Sequence, residues 1–167
     1  MRILRALLVI LFFTACKKDS KQEMVCPDFG YENGYQIGNS TVHYYSSGNN
    51  FTALAVWTSS NNVTTLIING PMINDSSLQD EMTIQFYGKQ TGTYTIIPYG
   101  SNGNPISANQ AIMWLTNQGP FVSYSGTLEV TEYDSQGGKI CRSFSGDYVH
   151  DTTHLFVSNG AFLANVQ

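Results

Sequence analysis

Short β-branched or aromatic runs, each closed by a cluster of Gly, Asn, Asp, Pro or Ser, recur along most of the chain and restrict it to strands and turns. The runs cover residues 51–58, 63–69, 82–87, 92–98, 111–116, 121–133, 139–149, 154–158 and 161–166, so nine strands are expected, with a further short one at 41–45. The clearest hairpin turn is Asp134-Ser135-Gln136-Gly137-Gly138, because glycine takes a positive φ without steric cost. Strand parity puts Leu128 and Val130 on one face and Glu129, Thr131 and Tyr133 on the other. Beyond the turn, Ile140, Phe144 and Tyr148 share a face, opposite Ser143, Ser145 and Asp147. One helical turn, capped by Asn74 or Asp75, is expected around residues 75–80. With no βαβ pattern and no repeat, the expected fold is all-β: a single antiparallel β-sandwich, with a flattened β-barrel as the alternative.

The N-terminus reads differently. Arg2 and Arg5 precede the apolar run at residues 6–13, and the small residues Thr14 and Ala15 lead into Cys16. A basic start, a short apolar stretch and small residues form a secretory signal, and the run is about half of the ~20 apolar residues that a spanning helix needs. Phe13-Thr14-Ala15-Cys16 resembles a bacterial lipobox, which implies cleavage before Cys16 and lipidation of that cysteine. Two or three acyl chains hold a protein to a bilayer effectively permanently, at ~0.8 kcal/mol per buried methylene. The expected organisation is therefore a signal peptide over 1–15, a lipidated Cys16 with a polar tether over 16–24, and one β-domain over 25–167.

Cleavage would remove two of the eight basic residues, leaving six against twelve acids. Three of the six, Lys17, Lys18 and Lys21, fall in the tether, so the body keeps Lys89, Lys139 and Arg142. Nucleic acid is excluded as a partner, since its affinity comes from clustered Lys and Arg. The two cysteines left in the domain, Cys26 and Cys141, allow one bridge or two thiols in a compartment that oxidises thiols. Cys141 has the parity of the polar residues of its strand, so a bridge to Cys26 would strap the N-terminal arm over the outer surface or an edge.

Chemistry-bearing residues are sparse. His150 and His154 stand four apart with Asp147 and Asp151 nearby, but they flank a turn between strands, so no metal site is assigned. The acid pairs Asp80-Glu81 and Glu129/Glu132 cannot converge from one regular strand, and no Gly-x-Ser-x-Gly occurs. No catalytic residue and no cofactor is expected. Trp57 and Trp114 lie within apolar runs and are expected in the core, whereas Tyr31, Tyr35, Tyr44, Tyr45 and Tyr99, in or near loops, are the candidate ligand contacts.

The motifs Ile68-Asn69-Gly70, Gly92-Thr93-Tyr94-Thr95-Ile96, the run from Ser125 through Asp134, Phe144-Ser145-Gly146 and Val157-Ser158-Asn159-Gly160-Ala161-Phe162 resemble those of a family of small Bacteroidota-type lipoproteins of unassigned activity. Its members carry a lipobox and then a single all-β domain. The resemblance covers residues 51–166 and departs from the family pattern at Cys141-Arg142, where small residues such as Ser-Gly are usual. Asp151-Thr152-Thr153 is similar to the motif at which such bacteria attach O-glycans, which makes Thr152 a candidate acceptor. These features imply an envelope protein, anchored in a membrane that is expected to be the outer one. The expected role is a non-enzymatic binding or accessory module for a glycan or an envelope protein. A carbohydrate-binding module of a surface glycan-uptake system and a small envelope hydrolase are the alternatives.

Overall fold

The computed structural model describes residue 26 and residues 31–38, 41–44, 51–72, 75–100, 107–116 and 121–167. The expected signal peptide, Cys16 with its tether, and Tyr45 lie outside them. The protein is all-β. Its strands are β1 (Gly34–Ile37), β2 (Thr41–Tyr44), β3 (Thr52–Thr58), β4 (Val63–Met72), β5 (Asp75–Tyr87), β6 (Gly92–Ile96), β7 (Gln110–Leu115), β8 (Phe121–Tyr133), β9 (Lys139–His150) and β10 (Thr153–Val166). All ten belong to one sheet in the order β2-β1-β10-β3-β4-β5-β7-β6-β8-β9. Because β9 also pairs with β10, and β7 with β8, the sheet returns on itself as a ring. The two faces expected of a sandwich are thus parts of one continuous sheet. Most pairings are antiparallel, while β10–β3 and β6–β7 are parallel, so the sheet is mixed.

Alternation fills the ring. Leu66 and Ile68 of β4, Met82, Ile84 and Phe86 of β5, Met113 and Leu115 of β7, Leu128 and Val130 of β8, and Ile140, Phe144 and Tyr148 of β9 are all buried in one cluster. Each large apolar side chain so enclosed contributes about 1.5–3 kcal/mol. At the centre of β8 and β9, Gly126 faces Gly146. A Cβ on Gly126 would lie 2.2 Å from the Ser145 carbonyl oxygen, and its φ of +152° also disfavours any other residue there.

Four sequence expectations change. Residues 75–80 form the start of β5 rather than a helical turn, because their backbone pairs with the end of β4, down to Gly70 opposite Asp80. Nonlocal pairing here overrides the local cap signal. The runs 154–158 and 161–166 are one strand, β10, interrupted by a bulge at Ser158-Asn159, where Asn159 adopts a φ of +49°. Residues 34–37, unread as a strand, form β1. Thr131 is also a bulge residue, since Val130 pairs with Arg142 and Glu132 with Cys141. The extra residue reverses parity, so Tyr133 turns to the inner face, with its ring 6.2 Å from Phe86 and its hydroxyl bonded to Thr64.

Two ties secure the arm before β3. Cys26 and Cys141 are disulfide-bonded, with Cα atoms 5.6 Å apart, and Cys141 is fully buried although it has outward parity. Tyr35 enters the interior, where its hydroxyl donates to Oδ2 of Asp80 at 2.9 Å and joins β1 to β5. Burial and the Asp80 carboxylate both push the Tyr35 phenol far above its ordinary pKa, and burial does the same to Tyr148. Among the described residues, no helix is long and apolar enough to cross a membrane.

Loss of the bridge frees a 115-residue loop in the unfolded chain, which costs about 4–5 kcal/mol of stability in the entropic account. Reduced protein, or the Cys26→Ser, Cys141→Ser double variant, is expected to melt on the order of 10 °C lower in a thermal scan, and an unchanged midpoint would contradict the strap. The buried phenols set an alkaline limit. Above pH ~10 an unfolded tyrosine releases its proton while Tyr35 and Tyr148 keep theirs, so stability is intact below that pH and declines above it. The expected slope approaches ~1.4 kcal/mol per pH unit for each phenol, read by denaturant titration at several pH values, and it should be shallower in Tyr35→Phe.

Candidate functional site

The outer faces of β8, β9 and β10 carry a cleft lined by described residues. Thr127 and Glu129 of β8 point outward, opposite Ser145 and Ser143 of β9 in register. On the far side, the bulge of β10 lifts Asn159 to the rim. These five residues and Phe144 line a groove of about 240 Å³. Phe144 belongs to the core: its ring packs inward against Gly160, and the residue borders the groove between Ser143 and Ser145. A Cβ on Gly160 would lie 2.3 Å from that ring, so the bare backbone is what leaves the ring its space.

Both ends of the groove are defined by the same outward row of β9. At one end lies Cys141, two residues from Ser143, with its bridge to Cys26 and the Thr131 hydroxyl 3.3 Å from its Sγ. At the other end lies Asp147, two residues from Ser145, opposite Ser125 and Phe156. Nδ1 of His154 is 2.7 Å from Oδ2 of Asp147, and the imidazole stands edge-on to Tyr124, with ring centroids 5.7 Å apart. Tyr124 and Phe156 are the most exposed large hydrophobic residues described, at 51% and 59%. Tyr124 is turned outward because it is the unpaired residue of a second bulge, between Ser123 and Ser125. Hydroxyls, an amide and a carboxylate therefore run continuously into a cluster of exposed rings. No Lys or Arg lines the groove, and Glu129 gives it a negative character.

The tyrosines named from sequence scatter. Tyr31 reaches this surface, since its hydroxyl donates to the carbonyl oxygen of Asn159 on the groove rim. Tyr35 is 0% exposed, so it is no surface contact; the loop expected around it is strand β1, which delivers the phenol to Asp80. Tyr44 ends β2 opposite Gly34. Tyr99 is exposed and meets Trp114 edge-on at 5.8 Å, away from the groove. Trp114 has the parity of Ile112, opposite to the core residues Met113 and Leu115, and is half-buried; Trp57 is half-buried too, with Lys89 4.4 Å above its ring. Thr152 is exposed in the turn between β9 and β10.

The histidines separate. His150 lies beside Phe121, at 5.6 Å between ring centroids, with Nε2 3.8 Å from Asp151, whereas His154 pairs with Asp147. His150 and Asp147, three apart on one strand, face opposite ways. His154 with Asp147 has the form of a base and its orienting acid, but no hydroxyl among the described residues bonds to that ring. Sequence reasoning does not single out Tyr124, Phe156 or Asn159, and it weighs Glu129 only as half of an acid pair with Glu132. Bulges place Tyr124 and Asn159, and a bulge is invisible to strict alternation. Compared with protein-family models, curated proteins and solved structures, the chain matches none.

Proposed function

We propose that the chain is a lipid-anchored envelope protein, held to a membrane through Cys16, whose β-domain is a non-enzymatic binding module. The groove over β8, β9 and β10 carries this reading. It offers hydrogen-bonding side chains without an activated nucleophile, which is the equipment for holding a ligand rather than converting one. The signal-like residues 1–15 and the lipobox-like Phe13-Thr14-Ala15-Cys16 support the anchor, and the Cys26–Cys141 bridge is in keeping with an oxidising compartment. The outer membrane is the expected home, as for the small Bacteroidota-type lipoproteins that the chain resembles.

A second reading, a carbohydrate-binding module, is favoured by one observation. Exposed Tyr124 and Phe156 adjoin a groove lined by Thr127, Glu129, Ser143, Ser145 and Asn159. Sugars present apolar C–H faces and hydroxyls together, and rings beside amide, carboxylate and hydroxyl groups answer both. Anionic ligands are disfavoured by Glu129 and by the absence of a lining cation.

Fractionation tests the anchor: wild-type protein is expected with membranes and Cys16→Ala in the soluble extract, and a membrane-retained Cys16→Ala would refute it. A neutral-glycan array tests the groove. Phe156→Ser and Glu129→Gln are each expected to weaken binding of a glycan hit about tenfold or more while leaving the melting midpoint nearly unchanged, because both positions are exposed. Equal binding by wild type and both variants would move the site elsewhere.

A further inference from the structure

Arg142 alternates inward with Ile140 and Phe144 and is 0% exposed. Its Nε, Nη1 and Nη2 meet no acceptor among the described residues. Two rings flank the guanidinium, Phe162 with its centroid 4.1 Å away and Phe86 at 4.9 Å. The phenols of Tyr94 and Tyr133 are close enough to favour its charge, but neither oxygen accepts a hydrogen bond from it; their protons go elsewhere, that of Tyr94 to the Gln90 carbonyl and that of Tyr133 to Thr64, which itself donates to the Gly88 carbonyl.

A guanidinium in this position carries five N–H donors and a charge that persists at any physiological pH. Burial opposes that charge, and ring faces replace only part of the lost hydration. The other buried acid or base among the described residues, Asp80, cannot compensate. It lies on β5 six residues from Phe86, about 20 Å by strand rise, at the end of the interior where Tyr35 holds it. Fork-shaped donors of this kind match a carboxylate or another small anion.

We infer that Arg142 is the charged end of an internal site for a monovalent anion, either a halide or the head of a carboxylate, enclosed by Phe86 and Phe162. One negative charge balances the guanidinium, whose neighbours on the inward face are apolar: Val130 opposite it in register, and Ile140 two residues along its own strand. The nitrogens are sealed from solvent, so uptake of the guest requires a local opening of the interior. This site lies inside the ring and is independent of the outer groove.

The test uses the full-length protein in non-ionic detergent. Melting midpoints are compared at equal ionic strength in gluconate, too bulky to be enclosed, and in chloride, acetate or octanoate. At least one of the three is expected to raise the midpoint by a few degrees, saturably, as a ligand of the native state does, with no rise in Arg142→Met. Met replaces the buried ion with an apolar side chain of similar length, a change that proteins often accept without loss of stability. A half-effect concentration about tenfold lower for octanoate than for acetate identifies a lipid-like carboxylate, and comparable values identify a small anion. Equal midpoints in all four salts, or the same rise in Arg142→Met, overturn the inference. Should Arg142→Met fail to fold, crystals of the wild type soaked separately in bromide and in a bromo-substituted carboxylate decide: an anomalous peak beside the guanidinium in either soak supports the site, and peaks confined to the surface in both refute it.

Discussion

Closure through β10 is the constraint on which the rest depends. This strand pairs with β9 on one side; on the other it meets β1 along its middle, between Val157 and Ala161, and β3 at Asn165 and Val166. Further backbone bonds fasten the same end, from Gly137 N–H to the Val166 carbonyl, from Val166 N–H to the Gly138 carbonyl and from Gln167 N–H to the Ala55 carbonyl. An open sheet would leave two long edges with unpaired amides and carbonyls, which invite association with other chains. Closing the ring satisfies those groups and gives the inward residues a common interior. The outer groove and the buried guanidinium both follow from it, one on the convex side of β8, β9 and β10 and the other directly beneath.

Alternation made much of this legible. The inward positions of Leu128, Val130, Ile140, Phe144 and Tyr148 follow from a period of two, and so does the outward parity of Cys141. Parity also assigns Arg142 to the inward row, although in sequence it counts only, with Lys89 and Lys139, as one of the three bases of the body. The errors gather where two residues oppose one. Thr131 turns Tyr133 inward, Tyr124 is thrown outward, and Ser158-Asn159 makes one strand resemble two. A bulge depends on what lies across the ladder, and the run being read does not contain that information. Residues 75–80 were misread for the same reason: their Asp and Ser residues favour a helix cap locally, while the neighbouring strand supplies the decisive hydrogen bonds.

The outer surface shows how bulges make a site from a regular sheet. Thr127, Glu129, Ser143 and Ser145 alone would form an ordinary polar face. Tyr124 and Asn159, each placed by a bulge, add a ring at one end and an amide along the β10 side. Tyr31 then fixes the Asn159 backbone from the N-terminal arm, so the rim is built from residues 128 positions apart in sequence. A site assembled this way is stiff because its parts are strand backbone, and stiffness reduces the entropy lost when a ligand is held.

The bridge between Cys26 and Cys141 has a mechanical consequence. Tension applied to the chain ahead of Cys26 passes through the sulfur link directly into β9, which is laddered on both sides, by β8 and β10. β1 and β2 lie outside that line of force, so they are not peeled from the sheet one hydrogen bond at a time. If the N-terminus is tied to a membrane, drag on the domain loads many bonds together in its best-supported strand, and the groove on that strand keeps its shape under shear.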